Sequence, residues 1–236
     1  MSSMDIINKV WHQEHQALRE TPFFKRCRER TLDVDMYKGF LRETYYNASQ
    51  NVPMFALVSS RLGVSKKRLA KKIYKHCIAE LGHEDMALAD LRALGEDTSE
   101  LPYQRGLPST EALTAFVTYN IERRNPVSFF GYLFCLESLA PADGPDLVAS
   151  CMKAGVPKTA MSFLLEHTEV DTAHLKLNEE YINGLIENDD DMDAVIYVLK
   201  GSCELYGRMM AAAIDNADKH ANGSWLRAPW EKPQTR

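Results

Sequence analysis

The sequence predicts an all-α protein that forms one large helical bundle. Apolar residues recur at the spacing of helix faces along most of the chain, and no segment shows the clear alternation of a half-buried strand. Cap and stop residues divide the chain into segments of helical length. With 236 residues, of which 45% are hydrophobic, the chain can bury a substantial core. We therefore expect a single domain of about seven principal helices, with any cofactor held in the core by facing helices.

Four helices are predicted in the N-terminal part of the chain, at 5–19, 22–30, 36–62 and 65–94. Pro53 lies inside the third and should bend it, because proline lacks the amide hydrogen of a helical hydrogen bond. Ser65 is the predicted cap of the fourth. Gly63 and Gly95 follow the third and fourth helices, where glycine commonly ends a helix.

The C-terminal part is predicted to contain helices at 110–123, 127–140, 146–154, 158–187 and 193–219. The segment 141–145, with the sequence PADGP, is predicted to be a turn because it concentrates proline and glycine. The last residues, 222–236, hold two tryptophans and two prolines and are expected to form an extended tail. The predicted organisation is thus one helical domain over 1–221, followed by this tail.

Composition argues against several classes of partner. The net charge is −5, from 28 basic and 33 acidic residues. The basic cluster at 66–72 lies in the first turns of a predicted helix, where it should form a solvent-exposed face. We therefore expect no nucleic-acid partner. The N-terminus lacks an apolar signal core and no window approaches a membrane span, so we expect no membrane association and a cytoplasmic location. The five cysteines are scattered, which indicates reduced thiols.

A pattern of histidine and aspartate stands in the predicted helix 158–187. His167, Asp171 and His174 are spaced i, i+4 and i+7, which puts them on one stripe over two helical turns. Apolar residues surround the stripe, so its polar side chains need partners. Imidazole and carboxylate together favour a transition metal such as iron or manganese. A solvated polar face or an internal hydrogen-bond cluster would give the same pattern.

The predicted helix 65–94 repeats this pattern with His76, Glu80 and His83. Glu80 and His83 form a Glu-x-x-His pair, an arrangement that recurs in carboxylate-bridged di-iron bundles. The same pair also occurs on exposed, highly charged helices. His76 lies one turn before Glu80, and we interpret it as a core or surface histidine rather than as a ligand.

Glu137 is the only charged residue of the predicted helix 127–140. The residues one and two turns earlier on its face are phenylalanine or leucine. A carboxylate in such surroundings is protonated, paired with a cation or bound to a metal. A structural ion pair with Arg42 is the alternative to a metal.

Together these segments offer three carboxylates and three histidines, which suffice for two irons with open positions for O2 and a substrate. The candidate ligands are Glu80, His83, Glu137, His167, Asp171 and His174. The carboxylates among them are also the candidate catalytic residues: Glu80, Glu137 and Asp171. We expect Fe(II) as the cofactor, two ions per chain, and the same donors would accept manganese at one position.

The sequence resembles the haem-oxygenase-like di-metal oxidases and oxygenases, which share the fold of TenA, PqqC and haem oxygenase. The resemblance rests on ELGHEDMALADLRALG, YLFCLESL and H-x3-D-x2-H, with a weaker match at TPFFKRCRERTL, and it covers about residues 6–215. It implies a seven-helix haem-oxygenase-like bundle with a non-haem di-iron site formed by the same six ligands. It also implies O2-dependent oxidation of a small amino acid or carboxylic acid, by C–C cleavage, desaturation or N-oxygenation. A homodimer is a further expectation from the resemblance.

Four residues are candidates for substrate contacts. Arg42 is suited to holding a substrate carboxylate with two hydrogen bonds. Tyr45 offers a hydroxyl group, and Phe130 and Phe134 offer apolar pocket walls. A row of phenylalanines is also typical of an ordinary helix core.

Three other functions remain open at this point. A cofactor-free hydrolase of the TenA type would use Cys135 as its nucleophile, which requires an exposed thiol and a nearby base. A haem protein would use His12 or His15 as the axial ligand. A non-enzymatic helical protein would hold the metal without consuming O2 in response to a substrate.

Overall fold

The computed structural model describes residues 2–63 and 66–219, and for 168–173 and 218–219 it describes the backbone alone. Within these residues the regular secondary structure is helical and there is no β-strand, which confirms the predicted all-α fold class. The α-helices of the described chain are α1 Ser3–Arg19, α2 Pro22–Glu29, α3 Val34–Ala48, α4 Asn51–Arg61, α5 Lys67–Ala79, α6 His83–Ala93, α7 Pro108–Arg123, α8 Phe129–Lys153, α9 Ser162–Leu185 and α10 Asp189–Lys219.

α8 is a largely buried helix of the bundle. It packs against α9 and α10 along its length and also contacts α2, while α10 packs against α1, α3 and α7. Phe129, Phe130 and Tyr132, at the start of α8, are completely buried. Burying an aromatic side chain of this kind contributes on the order of 2–3 kcal/mol, so this end of α8 is strongly anchored in the core.

Gly131 permits the close contact between α8 and α10. A Cβ atom added there would lie 2.2 Å from the carbonyl oxygen of Val195 and 2.8 Å from the amide nitrogen of Leu199. Both are backbone atoms of α10, and they cannot move without displacing that helix. The glycine is therefore required by the distance between the helices.

The predicted helix 36–62 consists of two helices. α3 ends at Ala48, and α4 begins at Asn51, just before Pro53. The proline lies in the first turn of α4, where its missing amide hydrogen is not needed. In one continuous helix it would have left the carbonyl of Ser49 without its usual partner. Pro53 thus starts a new helix instead of bending a longer one.

The predicted helix 65–94 is also divided. α5 ends at Ala79 and α6 begins at His83. Gly82 lies between them with a φ of 91°, a left-handed conformation that favours glycine. Glu80 is therefore the C-cap residue of α5, and His83 is the first residue of α6. The Glu-x-x-His pair spans a helix break and does not lie on one helix.

Residues 141–145 are helical, and the predicted turn is wrong. α8 runs without interruption through Pro141 and Pro145. These prolines remove two backbone hydrogen bonds, which destabilises the helix locally. Both prolines lie on the exposed side, whereas Asp143 and Gly144 face the interior. Tertiary packing here outweighs the local preference for a turn.

Two predictions fall outside the described residues. They are the Ser65 cap and the extended tail over 222–236. Among the helices that the structure describes, none is both long and apolar enough to cross a membrane.

Replacing Gly131 with alanine is expected to lower the free energy of unfolding by about 2 kcal/mol, because α10 must move to admit the methyl group. The matched control is Gly207→Ala in α10, where the nearest atom is the flexible Cδ1 end of Leu18 at 2.9 Å. The control should stay within about 1 kcal/mol of wild type, since alanine is the better helix former. Urea denaturation measures both variants. Equal stabilities would contradict the close contact between α8 and α10.

Candidate metal centre

Two helices that are distant in sequence bring a cluster of imidazole and carboxylate groups together. His76 in α5, Glu80 at the C-cap of α5 and His174 in α9 each offer one ligand atom within 4.8 Å of the others. All three side chains are buried. Buried imidazole and carboxylate donors at this spacing are suited to a transition metal.

Glu137 completes this group from α8. Its Oε1 atom lies 3.4 Å from Nε2 of His76 and 3.8 Å from Nδ1 of His174. Oε1 of Glu80 lies 3.5 Å from Nε2 of His76 and 3.7 Å from Nδ1 of His174. Two carboxylate oxygens therefore face two imidazole nitrogens across one small space.

The other oxygen of Glu80 faces a second pair of histidines. Oε2 of Glu80 lies 3.5 Å from Nδ1 of His83, and the rings of His83 and His167 are 4.9 Å apart between centroids. Nδ1 of His167 lies 2.7 Å from the carbonyl oxygen of Phe163. Because a carbonyl oxygen only accepts, Nδ1 carries the proton and Nε2 is left as the atom that can bind a metal. Glu80 thus stands between two groups of donors.

The environment of Glu80 favours its charged form. Burial by itself raises the pKa of this carboxyl group, but the interactions with His76 and His83 lower it more. The net result is a pKa well below the usual range for glutamate. The carboxylate is therefore ionised at neutral pH, as a ligand for a cation must be.

His76 is a candidate ligand that the sequence interpretation set aside. Its ring is 4.2 Å from that of His174, and it approaches both Glu80 and Glu137. Neither of its ring nitrogens makes a hydrogen bond within the described part of the chain. Buried polar atoms normally have a partner, and a metal ion would supply one here. The spacing H-x3-E, which repeats H-x3-D, was the signal for it.

The structure places most of the predicted ligands around one cavity. Those that line it are Glu80, His83, Glu137, His167 and His174. The side chain of Asp171, the sixth predicted ligand, lies outside the described residues. A buried set of imidazoles and carboxylates is the donor combination that non-haem iron and manganese accept. The residues present therefore fit such a metal.

The cavity beside this cluster measures about 140 Å³. It has room for on the order of ten water molecules, so a small organic molecule fits. Most of its wall is apolar and comes from α2, α3, α8, α9 and α10, with the side chains of Phe23, Phe24, Phe40, Leu133, Leu136, Leu147, Phe163 and Met209. A polar stretch includes Tyr132, whose hydroxyl donates a hydrogen bond to Oδ1 of Asn51 at 2.8 Å.

Arg42 does not line this cavity. It is buried beside Glu43 as an ion pair and donates a hydrogen bond to the carbonyl oxygen of Arg105 at 3.0 Å. Glu43 in turn accepts hydrogen bonds from the amide of Leu107, at 2.9 Å, and from the hydroxyl of Thr110. The Arg42–Glu43 pair therefore has a structural role, because it fixes the start of α7 to α3. Arg42 is not placed to contact a substrate carboxylate in this cavity.

The aromatic residues predicted to contact a substrate are packed in the core instead. Phe130 packs against Tyr181, and Phe134 lies edge-on to Trp11. Tyr45 is half-buried. None of the three predicted residues is among the described residues that line the cavity. The helical spacing that put the two phenylalanines on α8 could not distinguish the cavity face from the buried faces.

Asp90 fixes α6 relative to α9. Its carboxylate accepts hydrogen bonds from the amide of Ser162 at 2.9 Å, the hydroxyl of Ser162 at 2.7 Å and the amide of Phe163 at 3.0 Å. A negative charge is favourable at this helix N-terminus. His83 lies two turns before Asp90 on α6, and His167 lies one turn after Phe163 on α9. The contact therefore sets the distance between these two histidines.

Replacing Asp90 with asparagine should lower the free energy of unfolding by about 2 kcal/mol, because one acceptor becomes a donor and the charge is lost. It should also weaken Fe(II) binding, measured by titration of the metal-free protein. The control is Asp33→Asn, which alters a capping bond to the amide of Met36 far from the candidate ligands. It should cost at most about 1 kcal/mol and leave metal binding intact. Equal metal affinities in the two variants would count against a positioning role for Asp90.

The chain matches a known family over most of its length. The sequence profile of a family described as iron-containing redox enzymes matches residues 38–207. A sequence search of curated proteins gives no match.

Several solved structures share the fold. A domain of unknown function with a haem oxygenase-like fold from Shewanella denitrificans OS217 has a TM-score of 0.84 and 24% identity, over 98% of this chain and 99% of that chain. A TenA homologue from Pseudomonas syringae pv. tomato DC3000 has a TM-score of 0.76 and 13% identity, over 91% of this chain and 93% of that one. A TenA homologue from P. horikoshii OT3 has a TM-score of 0.75 and 11% identity, over 91% and 99%.

Structural similarities at sequence identities this low establish a shared fold but not a shared activity. They confirm the predicted haem-oxygenase-like bundle. The family profile goes further, because it covers well over half of the sequence. This chain therefore belongs to the family of iron-containing redox enzymes and has the haem-oxygenase-like fold.

Proposed function

We propose that this protein is a non-haem di-iron oxidase or oxygenase that uses O2 to oxidise a small amino acid or carboxylic acid. The observation that carries the proposal is the meeting of His76, Glu80, Glu137 and His174 beside a largely apolar cavity. Membership of a family of iron-containing redox enzymes supports iron as the metal.

Glu80 would contribute to holding both iron ions. Its Oε1 faces His76 and His174, together with Glu137, and its Oε2 faces His83, beside His167. A carboxylate with one oxygen toward each group of donors would help to hold a metal in either group. Asp171 is proposed as a further ligand from its spacing in the sequence alone. Manganese in place of one iron is compatible with the same donors.

Bound iron would supply the redox capacity to activate O2, which amino-acid side chains lack. The chain itself holds the donors in place and surrounds them with apolar side chains. Leu133, Leu136 and Phe163 give the cavity an apolar wall beside the donors, and electrostatic interactions are stronger in such surroundings than in water. The proposed catalytic carboxylates, Glu80, Glu137 and Asp171, act by fixing charge next to the reacting centre.

C–C cleavage, desaturation and N-oxygenation all fit this site, because each begins with a small substrate held beside an O2-activating centre. The shape of the cavity decides which bond of the substrate faces the donors. The apolar wall favours a substrate with a hydrocarbon portion.

The competing functions find less support in the geometry. Cys135 is completely buried, does not line the cavity and lies 3.2 Å from the sulfur of Cys203. Burial, and then the neighbouring Cys203, raises the pKa of its thiol well above the usual range, which disfavours the nucleophilic thiolate. For a haem protein, Nε2 of His15 is already 2.5 Å from Asp143, and His12 is exposed on the surface.

The proposal is tested by anaerobic titration of metal-free protein with Fe(II). Wild type should bind two irons per chain, and Glu137→Gln should bind at most one tightly, since a buried donor is lost. His12→Ala, which removes an exposed histidine, should behave as wild type. Subsequent mixing with O2 and candidate acids separates an enzyme from a storage protein. A wild-type protein that takes up no iron would overturn the proposal.

Replacing Cys135 with serine should leave iron uptake and substrate-dependent O2 consumption within about twofold of wild type, because the thiol is not among the groups that line the cavity. The control is Cys151→Ser on the same helix, which reports the general cost of removing a buried thiol. Selective loss of all activity in Cys135→Ser would favour the hydrolase with a cysteine nucleophile.

A further inference from the structure

The wall of the cavity includes a further charged group, Asp143. This residue lies on α8 and is 6% exposed, and it lines the cavity together with Ala140, Gly144 and Leu147 of the same helix face. Apart from the His/Glu cluster, it is the one charged residue among the described residues that line the cavity. A buried carboxylate in an apolar wall is costly unless its oxygens are hydrogen-bonded.

Asp143 is held in place from α1. Nε2 of His15 lies 2.5 Å from its Oδ2, and Nε of Arg19 lies 3.5 Å from its Oδ1. Trp11 stacks on His15 with ring centroids 4.8 Å apart, which fixes the imidazole. A carboxylate can accept about four hydrogen bonds, so these two contacts leave acceptor capacity on Asp143.

The two charged parts of the cavity wall are separated along α8. Glu137 and Asp143 are six residues apart in one uninterrupted helix, which corresponds to about 9 Å along its axis. An extended hydrocarbon chain of roughly seven or eight bonds spans that distance. The wall between them is apolar, with Leu136 and Leu139 among its residues.

We propose that Asp143 binds the end of the substrate that is remote from the His/Glu cluster, and that this end carries a hydrogen-bond donor, an amine or a hydroxyl group. The inference rests on the proposed function for the position of the reacting end. It narrows the substrate class to elongated acids or amino acids with a terminal donor. A carboxylate at the remote end would be repelled by Asp143, and a methyl group there would leave the remaining acceptor capacity of Asp143 unused.

The test is calorimetric binding of four eight-carbon probes to wild-type protein, anaerobically, with and without Fe(II). The probes are octanoic, 8-hydroxyoctanoic, 8-aminooctanoic and octanedioic acid. At least one of the two donor-bearing acids should bind about tenfold more tightly than octanoic acid, and octanedioic acid should bind most weakly. If only 8-aminooctanoic acid binds more tightly than octanoic acid, the terminal group of the substrate is a cation. If 8-hydroxyoctanoic acid also binds more tightly, a neutral donor is sufficient.

Asp143→Asn should remove most of the preference for 8-aminooctanoic acid over octanoic acid, while Asp146→Asn should keep this preference. Asp146 is the matched control, because it lies on the same helix and pairs with Arg19 but does not line the cavity. Donor-bearing acids that bind no better than octanoic acid would overturn the inference, and so would an equal change in both variants. Failure of the proposed function can be told apart from failure of this inference. It would appear as absent iron uptake, whichever of the four probes binds most tightly.

Discussion

The structure depends on the need to compensate two carboxylates in the interior of a helical bundle. Glu80 and Glu137 are both less than a tenth exposed, and each approaches the same pair of imidazoles within 4 Å. An isolated carboxylate in such a place would be protonated or would destabilise the fold. The imidazoles of His76 and His174 provide part of the compensation, and a cation between them would provide the rest. The relative positions of α5, α8 and α9 are therefore set by charge as well as by hydrophobic packing.

The break between α5 and α6 is what gives Glu80 its central position. At a helix C-cap the chain turns, and Gly82 makes that turn possible through its positive φ. One oxygen of Glu80 consequently faces α9 and α8, and the other faces His83 at the start of α6. Asp90 then connects α6 to the start of α9. Two local features, a glycine and a capping aspartate, thus orient donors that come from distant parts of the sequence.

The sequence was sufficient to predict the fold class and to single out Glu137, because a lone charge on an apolar helix face has few explanations. It was insufficient for His76, since a histidine one turn before a ligand candidate is equally compatible with surface and core positions. Arg42 was expected to bind the substrate because arginines bind carboxylates. In the structure it forms an ion pair with the neighbouring Glu43 instead. That contact depends on how α3 meets the loop before α7, and periodicity carries no information about it. The roles of the ligand candidates stay predictions.

α8 connects these features into one functional unit. A turn at 141–145, as local preferences predicted, would have interrupted the helix between Glu137 and Asp143. The continuous helix instead places both residues on the cavity at a fixed spacing. Packing of the surrounding helices against α8 sustains this geometry despite Pro141 and Pro145. If Asp143 holds the remote end of the substrate as proposed, the fixed spacing between Glu137 and Asp143 on one rigid helix would restrict the length of the molecule that binds.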